Sequence, residues 1–191
     1  MLTVLVIDES RSRAGEICAG LALAGYQVAA ILAGSENLTA EVEKLQPDVI
    51  LIDTDTPSRD TLENLAAMHK NMPRPVVIFT QEGGQATIRD AVRAGVSAYV
   101  VDGLDPRRIK PIVEVARARF EDTQALRREL DEISQKLSDR KLVDKAKGVL
   151  MKARGLDEDA AYHAMRKLAM ERGQTMAKAA RDVIDMARVL L

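Results

Sequence analysis

The residues best placed to do chemistry are acids that close two apolar runs. Asp8 and Glu9 follow Val4-Leu5-Val6-Ile7, and Asp53 follows Val49-Ile50-Leu51-Ile52. Thr80 ends a third such run, Val76-Val77-Ile78-Phe79, and Tyr99 sits in a fourth farther on. In an open parallel α/β sheet the carboxyl ends of the strands line the ligand crevice, so these three carboxylates are expected to converge there. Gathered carboxylates repel one another unless a hard divalent cation lies between them, and an all-oxygen donor set points to magnesium. An aspartate held beside such a cation has the chemistry of a phosphoryl acceptor.

The elements that would position these groups follow from the pattern of apolar residues. Strands are expected at 3–7, 27–32, 48–52, 75–79 and 97–101, each rich in Val, Ile, Leu or Ala. Their apolar residues are mostly continuous rather than alternating, the mark of strands covered on both faces of a parallel sheet. Helices are expected near 11–24, 36–45, 59–71 and 86–94, with Gly25, Pro47, Pro73-Arg74-Pro75 and Gly95 punctuating the connections. The fold class read from this alternation is α/β, a five-stranded doubly wound parallel sheet over residues 1–106.

Beyond residue 106 the character changes. Ile109, Val113, Ala116, Phe120 and Thr123 are spaced by alternating fours and threes, and Leu126, Leu130, Ile133 and Leu137 resume the alternation after a slip. This predicts a long coiled-coil linker helix over 107–137, with a register break near Thr123–Leu126 and a second copy of the chain as its partner. Its first half has an alternative, packing back on the sheet. Residues 138–191 read as a three-helix bundle, its first helix at about 139–154. Gly155 and Gly173 separate the helices, Asp157-Glu158-Asp159 opens the second and Thr175 the third. The stripe of the last helix runs from Met176 through Ile184 to Leu191. Gly148, costly inside a helix, is expected where two helices approach closely.

Composition bounds the function. The 191 residues can bury a sizeable core. The lone Cys18 excludes an internal disulfide and suits a reducing cytosol. With no signal-peptide pattern and no apolar run of membrane-spanning length, the expectation is a soluble cytoplasmic protein with no membrane partner. The charge is unevenly distributed. Residues 1–106 hold 8 Lys and Arg against 15 Asp and Glu, a net −7, whereas residues 107–191 hold 20 against 14, a net +6. Such asymmetry indicates two modules, the second facing an anionic partner, unless its charges are simply solvated helix faces.

In order and spacing, Asp8-Glu9, Asp53-Thr54-Asp55-Thr56-Pro57, Thr80 and Tyr99 resemble the receiver domain of two-component response regulators. The resemblance implies that Asp53 is the phosphoacceptor. Asp8, Glu9, Asp53 and the backbone carbonyl of Asp55 would hold Mg2+, with Thr80 and Tyr99 as switch residues. One position departs from the family. Where a receiver places a lysine three residues after the tyrosine, the chain reads Tyr99-Val100-Val101-Asp102-Gly103, and Gln81 replaces the usual small residue after Thr80. An aspartate there adds like charge beside the phosphoryl group unless it turns away. Weak phosphorylation, or control mainly by a partner protein, is therefore expected.

Ala146-Lys147-Gly148-Val149-Leu150-Met151, Asp157 to Tyr162, Met165-Arg166 and Ala169-Met170, with Ala179-Ala180 and Val183-Ile184, resemble the ANTAR domain of RNA-binding transcription antiterminators. Val101-Asp102-Gly103-Leu104 is similar to the branch of that family controlling nitrate and nitrite assimilation, in which a separate sensing protein holds the antiterminator inactive. The resemblance implies a homodimer that binds paired RNA hairpins in leader transcripts, controlled by a sensor histidine kinase or by a ligand-sensing inhibitory protein. Hairpins are recognised by cations at phosphates and by stacking on rings or guanidinium planes. Lys147, Arg166, Lys167, Arg172, Lys178 and Arg181 are the candidate cations and Tyr162 the candidate stacking ring, although a Tyr in a small bundle is more often core.

Two other classes compete. Receivers are often fused to DNA-binding modules, but the last helix has a wide apolar stripe and only scattered cations, unlike a recognition helix. An enzyme would need machinery the chain does not display. Gly83-Gly84 is too short for a phosphate loop, His69 and His163 lack ligand-spaced neighbours, and Cys18 reads as packing.

Overall fold

The computed structural model describes residues 1–9, 14–102 and 105–190, except the side chains of Ala14, Val189 and Leu190. Residues 11–13 of the first expected helix, Gly103 and Leu104 of the departing motif, and Leu191 of the last stripe lie outside the described residues. The chain divides into two compact units, Met1–Gln124 and Ala125–Leu191.

The first unit alternates strand and helix. Its elements are β1 (Thr3–Asp8), α1 (Ala14–Leu23), β2 (Gln27–Leu32), α2 (Leu38–Leu45), β3 (Val49–Asp53), α3 (Arg59–Asn71), β4 (Val76–Phe79), α4 (Gln85–Arg93) and β5 (Ala98–Val100), followed by α5 (Ile109–Arg154). All strand pairs are parallel, in the order β2-β1-β3-β4-β5. The direction of winding therefore reverses between β1 and β3, and a crevice opens at the carboxyl ends of those two strands.

Alternation within each buried strand divides the core between two faces. Leu5, Ile7, Ile50, Ile52 and Ile78 point to one layer with Leu38, Val42, Leu65 and Met68 of α2 and α3. Val4, Val6, Leu51, Val77 and Phe79 point to the other with Ile17 and Leu21 of α1 and Ile109, Val113 and Ala116 of α5. Each such side chain contributes about 1.5–3 kcal/mol when fully buried, which is why the runs are continuous. The first part of the long helix thus packs on the sheet. A Cβ on Gly20 would come 2.6 Å from Ile109 Cδ1, so α1 and α5 approach too closely there for any side chain. The Tyr26 hydroxyl donates to Glu114 at 2.9 Å, and burial together with this carboxylate pushes the phenol up to about 12.

Gly95 turns the chain from α4 into β5 at φ +94, and an added Cβ would lie 2.6 Å from Cγ of the His69 ring. Gly95→Ala is expected to destabilise the first unit by roughly 3 kcal/mol, from backbone strain and overpacking combined. Urea titration checks this, and adding His69→Ala should recover the steric share. No recovery would assign the loss to the backbone alone.

The expected break between a linker helix and a first bundle helix is absent, because α5 is one helix from Ile109 to Arg154. No Pro or Gly occurs between Pro111 and Gly148, so nothing in the chain interrupts the helical hydrogen bonds. In the second unit the C-terminal part of α5 packs with α6 (Glu158–Glu171) and α7 (Met176–Leu190) around Ala146, Met165, Ala180 and Ile184. The Asp157 side chain caps α6 by accepting from Ala160 N at 2.7 Å, and Gly155 and Gly173 take positive φ at the helix ends. Nothing lies within 4 Å of a Cβ built on Gly148, so the close approach expected there does not occur. Among the described residues no helix is long and apolar enough to cross a membrane.

Candidate functional site

Asp8 and Asp53 end neighbouring parallel strands and are paired in register. Both are buried, Asp53 completely. Glu9 N donates to Asp53 O at 3.1 Å, so the chain leaves β1 across the mouth of β3. Two of the three expected carboxylates are therefore side by side at the reversal point of the sheet. The third is turned aside. The Glu9 carboxylate accepts from the Thr61 hydroxyl at 2.7 Å, and Thr61 is fixed in turn by Ser58, whose oxygen caps α3. Thr61 escaped the sequence reading, although a Ser-x-x-Thr helix start after the Asp53 loop was the available signal.

A second group of hydrogen bonds ties the loops around Asp53 together. Asp55 O accepts from the Thr80 hydroxyl at 2.7 Å and from Gln81 N at 3.3 Å. Glu82 N donates to the same hydroxyl at 3.2 Å, and the Tyr99 hydroxyl donates to Glu82 O at 3.0 Å. Burial raises the Tyr99 phenol above its ordinary value, so it stays a neutral donor. Thr80 and Tyr99 are thus linked through the backbone of Glu82, a contact that no sequence pattern announces.

Asp8 and Asp53 offer carboxylate oxygens at adjacent strand ends, donors that suit a hard cation keeping several of its waters. Among the described residues no three His, Cys, Asp or Glu side chains are grouped as a ready metal site. Glu9 is engaged by Thr61, and both lone pairs of the Asp55 carbonyl are used. Asp102, standing at the departing position, takes φ +70 and is exposed. Asp tolerates this left-handed conformation better than most residues.

In the second unit the expected cations separate by environment. Lys147 is only 17% exposed and bridges Asp144 at 2.9 Å and Glu158 at 2.7 Å, fastening α5 to the start of α6. These two acids, Glu158 foremost, raise its pKa. Its charge is locally spent, which weakens its case as a phosphate contact. Arg172 reaches Asp182 at 3.4 Å and Lys167 reaches Glu171 at 3.9 Å, while Arg166, Lys178 and Arg181 are exposed. Tyr162 is 42% exposed and meets His163 edge-on, so it is a surface ring and not the core residue its type favours.

Comparison with known proteins assigns both parts of the chain. Residues 4–114 match the family model of the response regulator receiver domain, and residues 131–184 match the ANTAR domain. The transcriptional regulatory protein PdtaR of Mycobacterium tuberculosis is 29% identical over 161 residues, covering 84% of this chain and 78% of that protein. The nitrate regulatory protein of Klebsiella oxytoca is 35% identical over 85 residues, covering 44% of this chain and 22% of that protein. Among solved structures, a receiver domain protein from Methanospirillum hungatei superposes with a TM-score of 0.56 at 21% identity, covering 64% of this chain and 98% of that one.

Proposed function

From the premise that the chain belongs to the response regulator receiver family and carries an ANTAR domain, we propose that it is a transcription antiterminator binding paired RNA hairpins in leader transcripts. The observation that carries this reading is the ANTAR match itself, which falls on the helices of the unit where the chain's excess of cations lies. The likeness to a transcriptional regulatory protein along most of the chain supports a regulatory role rather than an enzymatic one. The proposed site of action is the cytoplasm.

Asp53 is the proposed phosphoacceptor, and Mg2+ would be held by Asp8 and Asp53, with Glu9 once it leaves Thr61. Bound there, the cation neutralises charge gathering on the phosphoryl oxygens. The protein's own part is to present a buried carboxylate and to couple its surroundings to Thr80 and Tyr99 through the Asp55 and Glu82 carbonyls. Control would come from a sensor kinase or from a sequestering sensor protein. The proposed assembly is a homodimer, because Leu126, Leu130, Ile133 and Leu137 form a continuous exposed stripe on α5.

The test is a titration against a two-hairpin leader RNA, one hairpin alone and duplex DNA at several salt concentrations. The expected order is paired RNA, single hairpin, then DNA. Arg166→Ala should weaken RNA binding at every salt concentration and reduce the salt slope by about one. Preference for duplex DNA would replace this reading with a DNA-binding regulator.

A further inference from the structure

Between the end of α5, α6 and α7 lies a groove of about 540 Å3. That size falls within the range of about 300–1,000 Å3 found for small-ligand sites. Its floor is apolar, formed by Val149, Leu150, Met165, Leu168, Val183 and Met186. The groove is rimmed by Arg154, Lys167 and Arg172, against which Glu171 is the one acid in the lining. Arg154 makes no ion pair among the described residues.

We infer that this groove receives an unstacked nucleobase from the loop of an RNA hairpin, with the flanking phosphates at its cationic rim. The inference rests on the RNA reading above and names the site within it. A splayed loop base needs an apolar slot for its faces and cations close by for the phosphates it brings along. The groove offers both on one side of the unit. Met186 is half exposed, and a thioether makes a soft, polarizable surface for a ring where no aromatic is present. Arg154 and Arg172 add guanidinium planes, which stack on bases as well as pairing with phosphate. The charge at the rim is complementary to RNA.

Tyr162 stands apart from this groove. At 100° per residue, Lys167 and Glu171 lie about 140° and 180° around α6 from it. The base-reading position is thereby moved from the one aromatic ring in the sequence motif to a surface assembled by three helices.

The experiment uses the full chain and a two-hairpin leader RNA, intact or with abasic nucleotides placed one at a time in each loop. The unaltered protein should lose roughly tenfold or more in affinity at one abasic position per loop. Ala164→Phe, which fills the groove, should show the same loss on intact RNA and little further loss on the abasic RNA. Met186→Ala, at a half-exposed position and so tolerated by the fold, should move affinity and abasic sensitivity the same way by a smaller factor. Thermal melts confirm that both variants fold. Full abasic sensitivity retained in both variants would overturn the groove while leaving RNA binding standing, and its loss in Tyr162→Ala instead would place the base at Tyr162. Equal binding of intact and abasic RNA by the unaltered protein would also overturn it. Absence of RNA binding altogether would remove the RNA reading and the groove with it.

Discussion

Replacing Leu130 and Ile133 together by Asp is expected to convert the protein to a monomer and to lower its affinity for a two-hairpin RNA about a hundredfold, leaving single-hairpin binding nearly unchanged. The two side chains are 67% and 55% exposed in the single chain, as are Leu126 at 66% and Leu137 at 54%. Four apolar residues at spacings of four, three and four make a coiled-coil seam, and among the described residues of the single chain all four stay more than half exposed. Seated against a second copy, each would gain about 1.5–3 kcal/mol of burial. Two aspartates from each chain in that seam lose the burial and add repulsion. The RNA effect follows from avidity, since tethering two weak modules raises binding by about 10²–10⁴ without new contacts. Sedimentation analysis and RNA titration on the same samples decide the matter. A variant that stays dimeric would place the interface elsewhere, and a monomer that still binds paired RNA at full strength would detach dimerization from recognition.

The second large effect is expected at Asp102. With acetyl phosphate and magnesium the unaltered protein should be labelled slowly and incompletely, Asp53→Asn not at all, and Asp102→Lys about ten to a hundred times more extensively. A charge-assisted hydrogen bond to the phosphoryl group is worth about 1.5–3 kcal/mol, which sets that range. The backbone works against the exchange, because Asp102 sits at φ +70 and lysine adopts that conformation less readily than aspartate. A stability loss of about 1 kcal/mol should therefore accompany the gain in labelling. The two readouts separate charge from conformation: Asp102→Gly should relieve the backbone without restoring the cation. Rapid, stoichiometric labelling of the unaltered protein would show that the missing lysine does not limit phosphorylation, and the case for control mainly by a partner would fall.

Much of the architecture was legible in the chain. The strands at 27–32 and 49–53 and the helix at 59–71 fall within a residue of their expected limits, because parallel strands read as apolar runs, in the partly exposed edge strand β2 as in the buried β3, and helix starts need caps such as Ser58. The acids at strand ends were legible for the same reason: a carboxylate after an apolar run marks where the strand leaves the core. The extent of α5 departs from the expected boundary near 138, since a register slip and a change of charge pattern do not end a helix that has no Pro or Gly between Pro111 and Gly148 to break it.

By itself the sequence determined the α/β alternation, the Asp8–Glu9, Asp53, Thr80 and Tyr99 set, the missing lysine at Asp102 and the basic, helical C-terminal part. Only the tertiary structure decided the order β2-β1-β3-β4-β5, which sets Asp8 beside Asp53 in register and turns Glu9 toward Thr61. It also decided that Lys147 is absorbed by Asp144 and Glu158, that Tyr162 faces solvent, and that three helices enclose a groove rimmed by Arg154, Lys167 and Arg172. The physical reason is the range of the interactions. Periodicity, capping and strand-end chemistry are settled by neighbours within a few residues, whereas strand order, ion-pair partners and concave surfaces arise from residues far apart in the chain, whose meeting no local pattern encodes.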